Sequence, residues 1–358
     1  MIAHNNKGLL RWLFADGAVL LFFFCLRTSR TLTDRFVFRV TLPFEQALGR
    51  FCACVPFSAA GVFYVLLVLD SLACLVLAVR YVVHAAHRGR AFVRCILFFA
   101  DLALTFYVAF CLLWGANYAA SDFCDRAELY PEPVAYSDLV ALTQHFADKL
   151  AACADQVPRD EAGLFCADRA AILSAAPAVY ETLYGEFPFL DTQSLTPKPF
   201  FLSKIMSYMD FTGFYFPFTG EASLNVDSPV SALPVTALHE MTHQRGIASE
   251  QQCNFVAILA AVRSDDAAYR YSGYYQGYIY LSNALYRTDY DAWRSIREAL
   301  PEPVRLDLAY TNAYWAQFEG PAATASQKLN DSMIRSYGDP LGVQSYGAVV
   351  DLLVQYYK

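Results

Sequence analysis

The chain has 358 residues and a formal net charge of −7; 56% of its residues are hydrophobic and only 17% are charged. Soluble globular chains average nearer ~25% charged, so the deficit argues against a wholly soluble protein and directs attention to membrane spans. No basic patch or aromatic stacking motif points to nucleic acid as a partner.

Three apolar stretches come first in chain order: Leu10–Leu26, Ala59–Val79 and Cys95–Trp114. The second and third have 21 and 20 residues with one charge each, close to the ~20 that cross the hydrocarbon core of a bilayer. The first holds Arg11 and Asp16. No small-residue cleavage site follows it, so a retained span is expected rather than a signal peptide. Asp16, Asp70 and Asp101 fall inside the spans. Acids there either mark function or help helices associate, and association is the preferred reading.

Charge divides along the same line. Residues 1–118 carry 11 Lys/Arg and 5 Asp/Glu, whereas residues 119–358 carry 16 and 29. This predicts a membrane domain with three transmembrane helices over 1–118 and an acidic, water-soluble domain over 119–358. The link between spans two and three holds Arg80, Arg88, Arg90 and Arg94 and no acid. That density favours a cytoplasmic link, and so a multi-pass protein of the cell membrane with its soluble domain extracytoplasmic. The first link, with Arg27, Arg30, Arg35, Arg39 and Arg50, pulls the other way. Cys153 and Cys166 flank a short polar segment and read either as a disulfide or as two free thiols.

Beyond the spans, Asp122–Pro133 reads as a polar linker. Helices are expected over Ser137–Cys153 and Ala170–Tyr184. Thr196–Asn225 is aromatic and glycine-punctuated and predicts two or three short strands, with Thr219-Gly220 at a turn. A helix of about three turns is expected from Pro234, closed by Gly246. A second runs from Ser249 to Val262, with Ser249 and Gln252 in capping-box positions. Helices follow over Tyr269–Tyr286, Leu306–Phe318, Asp331–Tyr337 and Gly347–Tyr357. The expected class is mainly α: three transmembrane helices, then a zincin-like α+β domain with a small sheet beside the motif helix.

The chemistry lies in HEMTH, residues 239–243. Residues four apart share a helix face, so His239 and His243 present two imidazoles to one point, as zinc requires. Glu240, about 100° around the helix, can take a proton from a water that zinc has acidified. A third protein ligand is needed. Ser249 stands where the long metzincin motif places a histidine, so that pattern fails. Glu250 is favoured, with Asn254, Asp265 and Asp266 as alternatives. The strand over 220–226 is expected to be a substrate-holding edge, with Glu221 and Asn225 lining the cleft. Tyr274, Tyr278 and Tyr346 are candidates for hydroxyl donation to a tetrahedral oxyanion.

Several strings together resemble an uncharacterised bacterial family of multi-pass membrane proteins, a domain of unknown function with a zincin motif. They are PFS at 56–58, WGANY at 114–118, TGFYFPFTGEASLN at 212–225, HEMTHQRGIASE at 239–250, YSGYY at 271–275, LND at 329–331 and GVQSYGAVVDLL at 342–353. The resemblance covers nearly the whole chain. It implies a membrane-anchored zinc-dependent peptidase that acts on a peptide or protein substrate, with His239, Glu240, His243 and Glu250 in the site. It also implies an acid where this chain has Gln252, a departure that leaves the third-ligand role to Glu250. The rival from another class is a non-catalytic membrane receptor or scaffold with a structural metal. An intramembrane protease is disfavoured, because the motif lies 125 residues beyond the last span.

Overall fold

The computed structural model describes residues 7–337 and 346–358. Helix α1 (Lys7–Leu26) is followed by α2 (Arg30–Phe36), a π turn over Val37–Thr41 and α3 (Leu42–Cys52), which run on almost without a break. Next come α4 (Ala59–His84) and α5 (Arg88–Leu113), each of 26 residues, or about 39 Å at 1.5 Å per residue. α1, α4 and α5 are long and apolar enough to cross a membrane, which fits a membrane protein. Thr105 of α5 donates to Asp16 of α1 at 2.7 Å, so Asp16 ties two spans together. Asp101 is buried, and Asp70 is exposed on α4.

The remaining chain contributes α6 (Phe123–Ala127), α7 (Tyr136–Cys153), α8 (Arg169–Tyr180), β1 (Lys198–Pro199), α9 (Ser203–Tyr208), β2 (Gly213–Phe216) and β3 (Glu221–Leu224). It continues with α10 (Leu233–His243), α11 (Glu250–Val262), α12 (Ala267–Thr288), α13 (Tyr290–Glu298), α14 (Glu302–Ala316), α15 (Pro321–Ser336) and α16 (Tyr346–Tyr357). The class is mainly helical with one small sheet. Its core is built where α7, α10, α11 and α12 meet, around Phe146, Leu150, Leu238, Met241, Phe255, Ile258 and Leu281. Gly273 allows the close approach of α12 to α11: a Cβ there would stand 2.8 Å from that of Ala261.

The sheet order is β1-β3-β2, with β1 parallel and β2 antiparallel to β3. The strand expected at an edge, β3, is therefore central, and β2 is the edge. One sheet face meets the start of α4. Ser58, which caps α4, shares a 2.8 Å hydrogen bond with Ser223, and Tyr64 packs on Phe214 and Phe216. The opposite face meets α10.

The stretch between the first two spans departs from the expectation of a plain link. It is helical over residues 30–52 and packs into the part of the chain beyond residue 118. Arg30 pairs with Asp125, and Asp34 accepts from the amide and hydroxyl of Ser121. Other departures are short: α9 breaks the stretch expected as strands, and α15 begins ten residues before the helix expected from Asp331. α6 interrupts the expected linker, α13 was unread, and Ser249 makes no side-chain cap. The amide of Gln252 is taken instead by Asp122 and by the Phe123 N–H. All ten cysteines are free thiols, Cys153 and Cys166 among them.

Candidate metal centre

α10 is buried almost all round, so its position is set by packing on every side. Pro234 sits in its first turn, where the missing N–H costs nothing. The Val235 N–H, also orphaned there, donates to Ser272 at 3.3 Å. At the other end Gly246 takes φ +77°, the left-handed conformation that lets the chain reverse. Arg245 is fully buried and locks that reversal. Its guanidinium donates to the carbonyls of Leu190 and Met241 and to the hydroxyls of Tyr184 and Ser194, and lies 3.7 Å from the Tyr180 ring centroid. The reversal delivers Glu250, at the start of α11, to the histidine face of α10.

His239 Nε2 and Glu250 Oε2 are 3.2 Å apart, and His243 Nε2 and Glu250 Oε1 are 3.7 Å apart. One ligand atom from each of the three residues falls within 4.8 Å of the others, an arrangement able to hold a metal ion. The outer nitrogens support this. His243 Nδ1 lies 2.8 Å from the Ile247 carbonyl, which can only accept, so the proton is on Nδ1. His239 Nδ1 lies 2.9 Å from Asn254 Oδ1. Each imidazole is thereby oriented with its Nε2 toward the shared point, the orientation of metal-binding histidines. Asn254, an alternative third ligand from sequence, instead orients His239. Asp266 caps α12 through the Ala268 and Tyr269 amides.

The electrostatics are those of a coupled cluster. Burial opposes a charged His243, but Cys253 and Glu250 outweigh it and hold its pKa well above the ordinary value. Burial pushes the Cys253 thiol itself up to about 11, so near neutrality it is uncharged and Glu250 is the working partner. Burial would also raise Glu250, yet His243 and His239 hold it well below the usual carboxylate range. Its side chain is 34% exposed, which lightens the cost of its charge. Glu240 is raised, chiefly by burial and against the pull of His239 and His243. Its Oε2 is buried without a hydrogen-bond partner. Gly213 of β2 closes over it: a Cβ there would stand 2.6 Å from Glu240 Oε1.

Four expected site residues lie elsewhere. Glu221 is buried on β3, where it binds Lys198 at 2.7 Å and accepts the Ala60 N–H at 2.9 Å, capping α4. Asn225 braces a turn through Ser207, the Phe211 carbonyl and the Asp227 N–H. Tyr274 packs edge-on against Phe146, and Tyr278 is buried in the same core. The fifth, Tyr346, begins α16, and its side chain lies outside the described residues. An open cleft of about 500 Å³ beside Phe57, Phe201 and Lys204 shares no lining residue with the metal centre.

Residues not singled out from the sequence stand beside the cluster instead. Trp114, just past α5, packs edge-on against His243 at 5.4 Å between centroids. Tyr118 stacks on Tyr337 at 5.5 Å. Its pKa is raised by burial and by the Glu250 carboxylate, against the pull of His243, which places it in the field of the cluster. Asn117 Oδ1 lies 3.4 Å from where a Gly246 Cβ would stand. The string WGANY therefore sets Trp114 beside His243 and Asn117 beside the turn that delivers Glu250. Its recurrence in the resemblance was the one available signal.

Comparison with curated proteins and with solved structures finds no match. Residues 37–354 match the family described as Protein of unknown function (DUF3810). That span includes every residue of the centre.

Proposed function

The chain belongs to the DUF3810 family, and we propose that it is a membrane-anchored zinc metallopeptidase of zincin type. The observation that carries this reading is the pair of imidazoles, each tied back through Nδ1, with Nε2 facing Glu250. His239, His243 and Glu250 would hold zinc, a donor set of two nitrogens and one carboxylate that leaves a position open. Bound there, zinc would act as a Lewis acid on water and on a peptide carbonyl near neutral pH.

Glu240 is the general base and then the general acid. Burial keeps its proton affinity above that of a free carboxylate, closer to what proton transfer near neutrality needs. The open edge of β2 is the candidate for holding substrate. Asn225 N–H donates to the Thr212 carbonyl, and the Leu224 carbonyl accepts from the N–H of Phe200, just past β1. This phasing turns the N–H and C=O of Gly213 and Tyr215 away from β3, where they have no hydrogen-bond partner among the described residues. A substrate backbone can pair there. Tyr118 replaces the α12 tyrosines as the candidate hydroxyl donor to a developing oxyanion.

The soluble part is read as extracytoplasmic. Arg27 donates to the Tyr337 carbonyl, Arg30 pairs with Asp125 and Arg50 donates to Gln193, so these first-link arginines are committed to folding. Arg80, Arg88, Arg90 and Arg94 cluster at the other ends of the spans.

The test uses zinc-loaded full-length protein and a broad peptide library. Wild type is expected to cleave, chelation to stop it, and Glu240→Gln to keep zinc while losing ~10²–10⁴-fold in rate. No cleavage by wild type, or unchanged cleavage by Glu240→Gln, counts against the reading.

A further inference from the structure

We infer that the polypeptide taken by this site is membrane-anchored, and that the bond presented to Glu240 lies within about four residues of the substrate's apolar anchor. The inference rests on the peptidase reading and adds a substrate class to it. β2 begins at Gly213, in contact with Glu240, and runs to Phe216. That is about 10 Å of extended chain. Phe216 lies 5.2 Å from Phe63 and 5.1 Å from Tyr64 of α4. The following turn carries Phe218, which stacks on Phe63 at 6.0 Å and meets Phe106 of α5 at 6.4 Å. Phe106 precedes Trp114 by eight residues, or about 12 Å of helix. The strand therefore starts at the metal centre and ends between two apolar helices.

A chain paired along the open edge at Gly213 and Tyr215 must follow that course. One of its ends reaches the level of the spans after three or four residues. A peptide that is polar there would lose its hydration against Phe63, Phe106 and Phe218 without gaining partners. An apolar membrane segment loses nothing, since it already lies at that depth.

The outer surface agrees. Phe44 and Phe51 on α3, and Phe57, Phe201 and Ile205 around the start of α4, are all 48–79% exposed. Phe201 rests on Gly61, in the first turn of α4. These side chains continue the apolar surface of the spans and fit the interfacial layer of the bilayer. The catalytic part is thus set into the membrane surface, with its strand edge at the level where an anchored substrate emerges.

The test uses zinc-loaded full-length protein in phosphatidylcholine vesicles and three probes that share one randomised segment. In the first the segment is joined directly to an apolar transmembrane helix, in the second through a long Gly/Ser spacer, and in the third it is free. The first two are equally confined to the vesicle, so confinement alone cannot separate them. The direct probe is expected to be cut roughly tenfold faster than the spaced one, a difference of about 1.4 kcal/mol. Equal or faster cutting of the spaced or free probe overturns the inference and leaves the peptidase reading standing. A second readout needs no hydrolysis. A photo-crosslinking residue replaces Thr212, an exposed residue just before β2, in zinc-loaded Glu240→Gln protein, and it should capture the direct probe in preference. Capture without cleavage by wild type upholds the inference and sinks the peptidase reading. Equal capture of all three probes, or none, overturns the inference.

Discussion

Gly213 sets how closely β2 approaches Glu240. A Cβ there would meet Oε1 at 2.6 Å, Cγ at 2.8 Å and Leu224 Cδ2 at 2.9 Å. Gly213→Ala should displace the base while leaving the metal ligands alone: rate falls by at least ~10-fold, since a misplacement of about 1 Å can cost ~10², and zinc content measured on the same sample is unchanged. Asn254→Ala removes the acceptor behind His239. Zinc affinity, measured by competition with a chelator, should fall ~10–100-fold, the usual cost of losing such a partner. Much of this centre was legible at the residue scale. The four-residue histidine spacing and the glycine-closed turn at Gly246 before Glu250 are local, and local geometry survives folding. Glu221 and Asn225 were misread because polarity on a strand does not reveal its partner. The partners of Glu221, Lys198 and the start of α4, are brought to it only by the tertiary fold.

At the scale of elements, the helical stretch over residues 30–52 was hidden by its arginines and by Pro43, which read as link. Pro43 instead occupies the first turn of α3, where it is tolerated. α3 touches the β2–β3 turn at Gly220, which has φ +65° and abuts the Glu45 carbonyl. Gly220→Val should lower thermal stability by at least ~2 kcal/mol, through left-handed strain and overpacking of ~1–3 kcal/mol each, and should expose α3 to protease. Glu45 carries a second signal. Both its carboxyl oxygens are buried without a hydrogen-bond partner. Burial raises its pKa well above the usual carboxylate range, and the nearby Tyr215 hydroxyl only partly opposes this. With the folded value above the unfolded one, the folded chain binds the extra proton between the two. Stability is full below the unfolded value, about 4.3, and is lost as pH rises through the folded one. Glu45→Gln should flatten that decline, read as the slope of melting temperature against pH from mildly acid to neutral.

Across the whole molecule, the three apolar helices and the mainly helical class were plain from hydropathy and periodicity, which are statistical properties of long segments. The relation of the centre to the membrane was not. The separation of 125 positions from Trp114 to His239 suggested distance, yet Trp114 packs on His243. Sequence separation carries no information once the chain returns to its own start. A reporter that works only in the cytoplasm, fused after Lys358, should be silent if the chain beyond residue 118 faces outside. An active reporter reverses the orientation and leaves the centre's geometry untouched.

The most direct measurement is X-ray absorption at the zinc edge of purified full-length protein. The expected result is one zinc per chain, two imidazole nitrogens at about 2.0–2.1 Å, a carboxylate oxygen and one further light donor not supplied by the protein. Absence of zinc would contradict the proposal. So would a sulfur neighbour at about 2.3 Å, which would bring Cys253, already 3.4 Å from His243 Nδ1, into a closed structural site.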